Sequence, residues 1–421
     1  MASIKPFNGL LYNTKKAGPP EKLIAPPYDI ISPREEKALT GRSKYNIAHI
    51  ILPESRKGDT SSNNKYTRTA ALFERWLEEG VLTHNGSDAV YLYSQSYGYK
   101  GKRREGIGFI TLIKLEEPHK GIVFPHEHIH SAPKKDRFNL IKEVGANLSP
   151  IFSLFPDTGG IIRGMKRRYL KAKPFADISY GGIRHKLWIV NDPVLIKEAV
   201  SGLSSKKIFI VDGHHRYQAA LEVKKYKEKS GDRSGRYDHV MSYLADFDER
   251  SLLIFPFHRM ISGPSARGLK GLSDRLSKYF NIIEKKDLEA LMSSMKGAGR
   301  GCYKFGLCYK RAFYLLGLKK AHRPRPGGRK WKMLDAAVFD DIILRRTLGI
   351  SNRKKAEHVS YSKDEALVSE SVSKGKADMG FLLNPVRMDD IRKIATAGEK
   401  MPQKSTYFYP KLLTGLVINK F

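Results

Sequence analysis

The chain of 421 residues has little cysteine, few acidic residues and no long apolar run. Its two cysteines, Cys302 and Cys308, are too few for a disulfide framework and cannot supply four zinc ligands. No apolar run approaches the ~20 residues that a membrane-spanning helix needs. The N-terminal segment is interrupted by Lys5, Pro6 and Asn8, so it lacks the apolar block of a signal peptide. We therefore expect a reduced, cytoplasmic protein that does not bind membranes.

Acidic residues are heavily outnumbered, since 43 Asp and Glu stand against 76 Lys and Arg and the net charge is +33. The positive electrostatic field of such a chain attracts nucleic acid, nucleotides and phosphorylated metabolites. The basic residues are dispersed along the chain, and no helix-turn-helix, zinc-finger or RNP-type motif is present. Nucleic-acid binding therefore ranks behind binding of a small phosphorylated ligand.

Several common catalytic signatures are missing from the sequence. It contains no P-loop GxxxxGK[ST], no kinase HRD/DFG set and no GxSxG. Phosphoryl chemistry in this chain would therefore need a different scaffold.

The hydropathy pattern mixes helical and strand periods without strict βαβ alternation, which predicts an α+β or mixed α/β fold. Ser32 and Pro33 mark a helix start, residues 335–348 predict a helix, and residues 119–150 predict a polar functional loop. We divide the chain into four regions: an N-terminal α/β region with a strand pair (1–118), a core (119–262), a helical and hairpin insertion with a basic connector (263–330), and a C-terminal α/β segment (331–421).

The segment IFIVDGHHRYQAA predicts a buried strand, a tight turn and a helix that begins near His214. Free amides at a helix start favour an anion, and Gly213 allows its close approach. Arg216 can bind phosphate oxygens through two donors, and His214 and His215 can bond oxygens or move a proton. Asp212 could accept a proton or help to hold Mg²⁺.

Two further segments carry reactive side chains. In FPHEHIHSAPKKDR, alternating His126, His128 and His130 would share one face of an extended strand, a spacing that can ligate zinc, while Glu127 is a candidate general base. We favour a polar substrate loop over a metal site for this segment. In the tail MPQKSTYFYPK, Lys404 and the hydroxyls of Ser405 and Thr406 can bind phosphate. The alternative is a C-terminal strand that packs its aromatic residues into the core.

These motifs, together with IAPPYDII and FPFHRM, resemble the motif series of the domain-of-unknown-function 1015 family, in the same order and over almost the whole chain. The DGHHR element also resembles the phosphate-binding motif of the ParB/sulfiredoxin superfamily, which includes free-serine kinases. Sulfiredoxins carry a cysteine where this chain has His214 and His215, so sulfinic-acid reduction is not expected. The resemblance implies a ParB/sulfiredoxin-like nucleotide-binding core and ATP or ADP with Mg²⁺ as partner.

Our leading hypothesis is a nucleotide-dependent small-molecule kinase that transfers a phosphoryl group to a hydroxyl substrate such as free serine. The alternatives are a nucleotide-binding ParB-like protein that binds nucleic acid through its basic surface, and a metal-dependent hydrolase. The candidate catalytic residues are Asp212, His214 and Glu127. The candidate phosphate or nucleotide ligands are Gly213, His215, Arg216, Tyr217, Lys404, Ser405 and Thr406. The candidate substrate contacts are His126, Asp136, Arg137, Asp29, His258 and Arg259.

Overall fold

Two units make up the chain, and each is built on its own β-sheet. The computed structural model describes residues 2–127, 131–249, 251–263, 271–296, 299, 301–325, 327–351 and 353–421. Unit 1 comprises Met1–Pro125, Ile129–Leu252 and Pro410–Phe421, and unit 2 comprises Leu253–Tyr409 with His126 and Glu127. Both units are discontinuous in sequence, whereas the four predicted regions are continuous, and the four-region division stays a prediction.

Unit 1 contains a mixed sheet in which nine strands are described. Along the sheet the order is Val123–Pro125, Ile208–Asp212, Ile151–Phe155, His239–Asp246, Lys102–Lys114, Val90–Tyr99, Ile183–Val190 and Ala176–Tyr180, with Ile4–Lys5 paired beside Lys102–Lys114. Two pairings are parallel, Ile208–Asp212 with Val123–Pro125 and His239–Asp246 with Ile151–Phe155. The mixed α/β class predicted from the sequence is confirmed, while its assignment to a ParB/sulfiredoxin-like core stays a prediction.

Helices cover this sheet because their apolar positions recur at helical spacing. Met165, Ala199 and Leu203 from two of them enter one core with the strand residues Leu92 and Phe109. The α-helices of unit 1 are Thr14–Ala17, Pro33–Thr40, Ala48–Ile51, Lys65–Glu78, Ser131–Val144, Ile161–Tyr169, Pro193–Leu203 and His214–Lys229, with 3₁₀ turns at Pro20–Lys22, Tyr28–Ile30 and Pro118–Lys120. The predicted start at Ser32 is confirmed, since its side chain and that of Glu35 form a reciprocal capping box.

The C-terminal segment returns to unit 1 and pairs with residues far away in sequence. Asn419–Lys420 pairs with Ala146–Asn147, and isolated bridges join Leu10 to Ile418 and Ala25 to Thr414. The strands Leu10–Tyr12 and Leu82–His84 form a further small sheet. This return path brings Pro410–Phe421 into the same unit as the strand Ile208–Asp212.

Unit 2 contains an antiparallel sheet with six described strands. Their order is Phe280–Lys285, Ala312–Leu318, Lys304–Tyr309, Met379–Leu382, His258–Ile261 and Val359–Ser362, and a separate pair joins Leu253–Phe255 to Tyr407–Tyr409. The α-helices are Leu272–Tyr279, Leu288–Met295, Asp335–Val338, Lys355–His358, Glu365–Ser373 and Met388–Thr396, with 3₁₀ turns at Lys320–His322 and Lys330–Met333. Phe305, Phe339 and Phe381 lie at the centre of its main core.

One prediction of local structure is wrong and another is confirmed with a change of helix type. Residues 119–150 are not a loop throughout, because Ser131–Val144 forms a helix whose buried residues Arg137, Leu140, Ile141 and Val144 recur at helical spacing. The predicted helix over 335–348 is confirmed: an α-helix at Asp335–Val338 continues as a π-helix at Phe339–Thr347. In the described part of the chain, no helix is long and apolar enough to cross a membrane.

Candidate functional site

The DGHHR segment in unit 1 forms the predicted strand, turn and helix. The strand Ile208–Asp212 is buried up to Val211, and Gly213 then turns the chain with φ +87° into the helix His214–Lys229. Among the described residues, no side chain caps the start of this sixteen-residue helix. The first amides of a helix have no acceptor within it, and a helix start of this kind favours an anion.

Arg216 folds back over the glycine turn. Its Nη1 donates to the Pro150 carbonyl oxygen at 2.6 Å and to Ser149 Oγ at 3.0 Å, while Nη2 donates to Asp212 Oδ2 at 3.0 Å. A Cβ atom at position 213 would lie only 2.9 Å from Nη2. The turn therefore requires glycine both for its backbone angle and for the room that the guanidinium occupies.

Asp212 lies between two cations at the end of the strand. Besides Arg216, Lys411 forms an ion pair with it through Oδ1, and the side chains of Asp212 and Lys411 are only 17% and 13% exposed. Burial acts to raise the pKa of the Asp212 carboxyl, but Lys411 and Arg216 outweigh burial and hold that pKa well below its usual range. The carboxylate is thus ionised at neutral pH and engaged on both oxygens.

Lys411 reaches this position because the C-terminal segment is anchored next to it. Gln95 Nε2 donates to the Lys411 carbonyl oxygen at 2.8 Å, and Thr414 exchanges backbone hydrogen bonds with Ala25. Counting Asp212, Arg216 and Lys411 as ionised, the cluster carries one net positive charge at the start of the helix. A net positive charge at a helix start favours an anion.

The remaining residues of the predicted motif differ in their placement. His214 is buried and lies within electrostatic reach of Asp212, and His215 is half-buried. Tyr217 lies in the core, where its hydroxyl donates to the Glu116 carbonyl oxygen at 2.7 Å and accepts from the Glu116 amide at 3.0 Å. Tyr217 therefore has a packing role.

Asp136 and Arg137, which were predicted to contact substrate, form a closed network in unit 1. Arg137 Nε donates to Asp136 at 3.0 Å, its Nη1 donates to the Ile51 carbonyl oxygen at 2.8 Å, and the guanidinium stacks on the ring of Tyr28 at 4.1 Å. Lys65 also binds Asp136, at 2.9 Å. This network fixes one helix against another and leaves Arg137 little capacity for a ligand.

Two further features of unit 1 lie near Arg137: Asp29, which follows Tyr28 in sequence, and a small cavity that Arg137 lines. Asp29 is exposed in the short 3₁₀ turn Tyr28–Ile30. Arg137, Ser149 and Arg216 line a cavity of about 30 Å³, which has room for a water molecule but not for a nucleotide. Any phosphate bound here would therefore lie outside this cavity, at the helix start.

The Asp136 network makes a testable contribution to stability. Burial acts to raise the pKa of Asp136, but Arg137 and its other partners outweigh burial and lower the pKa to about 2. Because the folded pKa is below the unfolded value of about 3.9, this stabilisation is complete above about pH 4 and is lost as the pH falls toward 2.

We expect Asp136→Asn to lower the free energy of unfolding by about 1–3 kcal/mol at pH 5–7. The difference from the unmodified chain should shrink below pH 4, where the native carboxylate becomes protonated. Urea unfolding at a series of pH values measures this difference. A difference that stays constant from pH 7 to pH 2.5 would show that the ion pair does not depress the pKa.

Unit 2 brings a second group of predicted residues together. Glu127 pairs with Met401 in a parallel bridge, and its Oε1 accepts from the Lys404 amide at 2.8 Å. Lys404 has φ +53°, a left-handed conformation that is unusual for a residue with a side chain. Ser405 Oγ donates to the Pro402 carbonyl oxygen at 2.5 Å, and the carbonyl of Lys404 faces Arg259 Nη2 at 3.4 Å.

The two predicted histidines of unit 2 are buried. His126 contacts the ring of Phe408 edge-on, and its carbonyl oxygen accepts from the Met401 amide at 2.6 Å. His258 Nδ1 accepts from the Leu383 amide at 3.1 Å. Burial, assisted by the neighbouring Arg259, lowers the pKa of His258 to about 4, so its ring is neutral at pH 7.

The hypotheses of a metal site and of a nucleic-acid surface gain no support from the described residues. His128 and His130 lie outside them, and within the described ranges no group of three or more His, Cys, Asp or Glu could hold a metal ion. Basic clusters lie at the turn between two strands (100–104) and in the helix Ile161–Tyr169. The position of these clusters does not show whether they bind nucleic acid, so nucleic-acid binding stays a prediction.

A family model matches residues 4–337, which is well over half of the chain. The chain belongs to the family described as "Protein of unknown function (DUF1015)". The resemblance noted in the sequence is thereby confirmed at the level of the family, while the ParB/sulfiredoxin relation stays a prediction. The comparison with curated proteins found no match.

Three solved structures show a distant likeness. A variant of free serine kinase in complex with AMP is 14% identical, with 73% of this chain and 92% of that chain covered and a TM-score of 0.39. A conserved hypothetical protein from Pyrococcus furiosus is 15% identical, with 73% and 95% covered and a TM-score of 0.36. C-terminally truncated SbnI from Staphylococcus aureus is 10% identical, with 72% and 85% covered and a TM-score of 0.36. At these scores the likeness carries no argument about activity.

Sequence reasoning missed two groups that complete the DGHHR cluster. Lys411 ends the tail motif, but nothing local indicates that it pairs with a residue 199 positions earlier. Ser149 and Pro150, which hold Arg216, follow a short polar stretch without a recognisable pattern. The one signal in the sequence was that Lys411 belongs to the tail motif MPQKSTYFYPK, which shares in the family resemblance.

Proposed function

We propose that the chain binds the phosphates of a nucleotide at Gly213–Arg216 and transfers a phosphoryl group to a small hydroxyl compound. One observation carries the proposal: a long helix begins at a glycine turn that lies beside the two cations Arg216 and Lys411. Backbone amides, a helix dipole and two cations at one point are the usual elements of a phosphate site. The DGHHR resemblance to nucleotide-binding motifs agrees with this proposal.

In this proposal Asp212 is a positioning residue. Its carboxylate fixes the Lys411 ammonium and the Arg216 guanidinium next to the helix start, so that both cations are in place before the ligand binds. A site organised in this way stabilises phosphate charge without rearrangement of charged groups. Because the pKa of Asp212 is depressed and both its oxygens are engaged, Asp212 is a weak candidate for the general base.

Phosphoryl transfer depends mainly on positioning and on stabilisation of charge, and less on a strong base. His214 and His215 lie at the first turn of the helix, where their ring nitrogens would bond the transferring oxygens. Mg²⁺ would enter with the nucleotide phosphates, since Asp212 is already held by two cations. Glu127, which lies in unit 2, stays a predicted base from the sequence.

Titration calorimetry with ATP, ADP and pyrophosphate, each with and without Mg²⁺, tests the binding step. We expect saturable binding of a nucleotide and competition by pyrophosphate, because the site recognises phosphate oxygens. Phosphorus NMR with serine, glycerol and ethanolamine as acceptors then tests the transfer. Failure of every nucleotide to bind would overturn the whole proposal, whereas binding without transfer to any acceptor would restrict it to a nucleotide-binding role.

A further inference from the structure

Unit 2 contains a buried guanidinium, that of Arg259, which has no ion pair with a carboxylate among the described residues. Arg259 is 1% exposed and lies on the strand His258–Ile261. Its Nη1 donates to the Phe257 carbonyl oxygen, and its Nη2 faces the Lys404 carbonyl oxygen at 3.4 Å. Nε has no hydrogen-bond partner in the described part of the chain. A buried charge of this kind is costly unless something else stabilises it.

Two aromatic rings provide part of that stabilisation. The guanidinium carbon lies 5.3 Å from the ring centre of Phe339 and 5.7 Å from that of Tyr361. Cation–π contacts hold the charge while leaving the donor edge at Nε without an acceptor. Phe339 is the first residue of the π-helix Phe339–Thr347, and π-helical turns are rare and concentrate at functional sites.

A second unpartnered donor lies in the loop that Arg259 contacts. The hydroxyl of Thr406 is buried, with the residue 8% exposed, and has no partner among the described residues. Thr406 follows two positions after Lys404, whose carbonyl faces Arg259 and whose backbone is held in the left-handed region. Such strain persists where the surroundings impose it, often at ligand sites.

We propose that unit 2 binds a small monocarboxylate, with Arg259 Nε–H and the Thr406 hydroxyl as donors to its two oxygens. The planar guanidinium suits a planar carboxylate. This site lies within unit 2 and does not depend on nucleotide binding in unit 1. A binding role for Arg259 also explains why a charged side chain is retained in an aromatic core.

The charges around Arg259 favour a monoanion over a phosphate dianion. Asp340 and Asp335 act electrostatically on Arg259, and Lys355 pairs with Asp340 at 2.6 Å. Two cations thus face two carboxyl groups, so the cluster has little net positive charge with which to attract a dianion. The two unpartnered donors also match the two oxygens of a carboxylate better than the several oxygens of phosphate.

The test uses the full chain and follows the Nε–H signals of arginine by ¹⁵N–¹H NMR during titration with sodium acetate. Sodium phosphate and sodium chloride at matched ionic strength are the comparisons, and loss of one signal in Arg259→Gln assigns it. We expect a saturable shift of the Arg259 signal with acetate and none with chloride. No shift with acetate, or a saturable shift with phosphate alone, would overturn the carboxylate site.

Thr406→Val keeps the test decisive if Arg259→Gln does not fold, because valine has nearly the shape of threonine. Loss of the hydroxyl should weaken acetate binding about tenfold and leave the melting temperature unchanged or slightly higher. Thr396→Val, at an exposed helix position of the same unit, should leave the affinity unchanged. Equal acetate affinity in Thr406→Val and in the unmodified chain would contradict the two-donor site.

Discussion

A Lys411→Met variant is expected to bind ADP at least tenfold more weakly than the unmodified chain. Methionine fills the space of the lysine stem but removes the cation that pairs with Asp212. The local charge at the helix start then falls from one positive charge to zero, so a phosphate group loses a charge-assisted contact and long-range attraction. Calorimetric titration with ADP measures the change in affinity.

The same variant should be less stable, because Asp212 keeps only Arg216 as a partner. We expect the free energy of unfolding to fall by about 1–3 kcal/mol at neutral pH. Since Lys411 helps to hold the folded pKa of Asp212 below its unfolded value, this difference is complete above about pH 4 and shrinks at lower pH. Urea titrations at pH 7 and pH 3 measure it.

Lys229→Met is the matched control for Lys411→Met. Lys229 is exposed and ends the helix that begins at His214, so its replacement removes one charge from the same helix at the opposite end. Affinity for ADP should change by less than about twofold, because the charge is far from the proposed site and screened by salt. Equal losses of affinity in both variants would show that overall charge, and not the Lys411–Asp212 pair, attracts the nucleotide.

Gly213→Ala should abolish phosphate binding and also destabilise unit 1. The residue has φ +87°, and an added Cβ would lie 2.9 Å, 3.0 Å and 3.1 Å from Nη2, Nε and Cζ of Arg216. The guanidinium would have to move, which breaks its bonds to Ser149, Pro150 and Asp212. Strain and lost hydrogen bonds together should cost about 2–4 kcal/mol, measured by urea unfolding.

Gly231→Ala separates backbone strain from the clash with Arg216. Gly231 has φ +86° and follows the end of the same helix, and an added Cβ would meet no atom within 4 Å. We expect a cost of about 1–2 kcal/mol from strain alone, with ADP affinity unchanged. If Gly213→Ala binds ADP as well as Gly231→Ala does, the folded-back position of Arg216 is not part of the phosphate site.

Local sequence patterns were sufficient for the part of the site that is contiguous. The apolar run before Asp212, the glycine and the segment after it predict a strand, a turn and a helix, and these are present at Ile208–Asp212 and His214–Lys229. Each of these features depends on neighbours within a few residues. This strand, turn and helix could therefore be predicted without knowledge of any long-range contact.

The parts that could not be predicted depend on long-range contacts or on tertiary packing. The pairing of Lys411 with Asp212 follows from the return of the C-terminal segment to unit 1, which no local pattern encodes. The helix Ser131–Val144 was missed because Arg137 occupies one of its buried positions, where an apolar residue would have revealed the period. The π-helix Phe339–Thr347 has a sequence that fits an ordinary α-helix equally well.

The most direct test of the phosphate site is to follow the backbone amide signals of residues 213–216 by NMR while ADP is added, and then to add pyrophosphate. If phosphates bind at the start of the helix, these amides should shift saturably with ADP, and pyrophosphate should reproduce the shifts. Amides at Lys227–Lys229, at the other end of the helix, should not move. Binding of ADP that leaves the amides of 213–216 unchanged would contradict the proposed site.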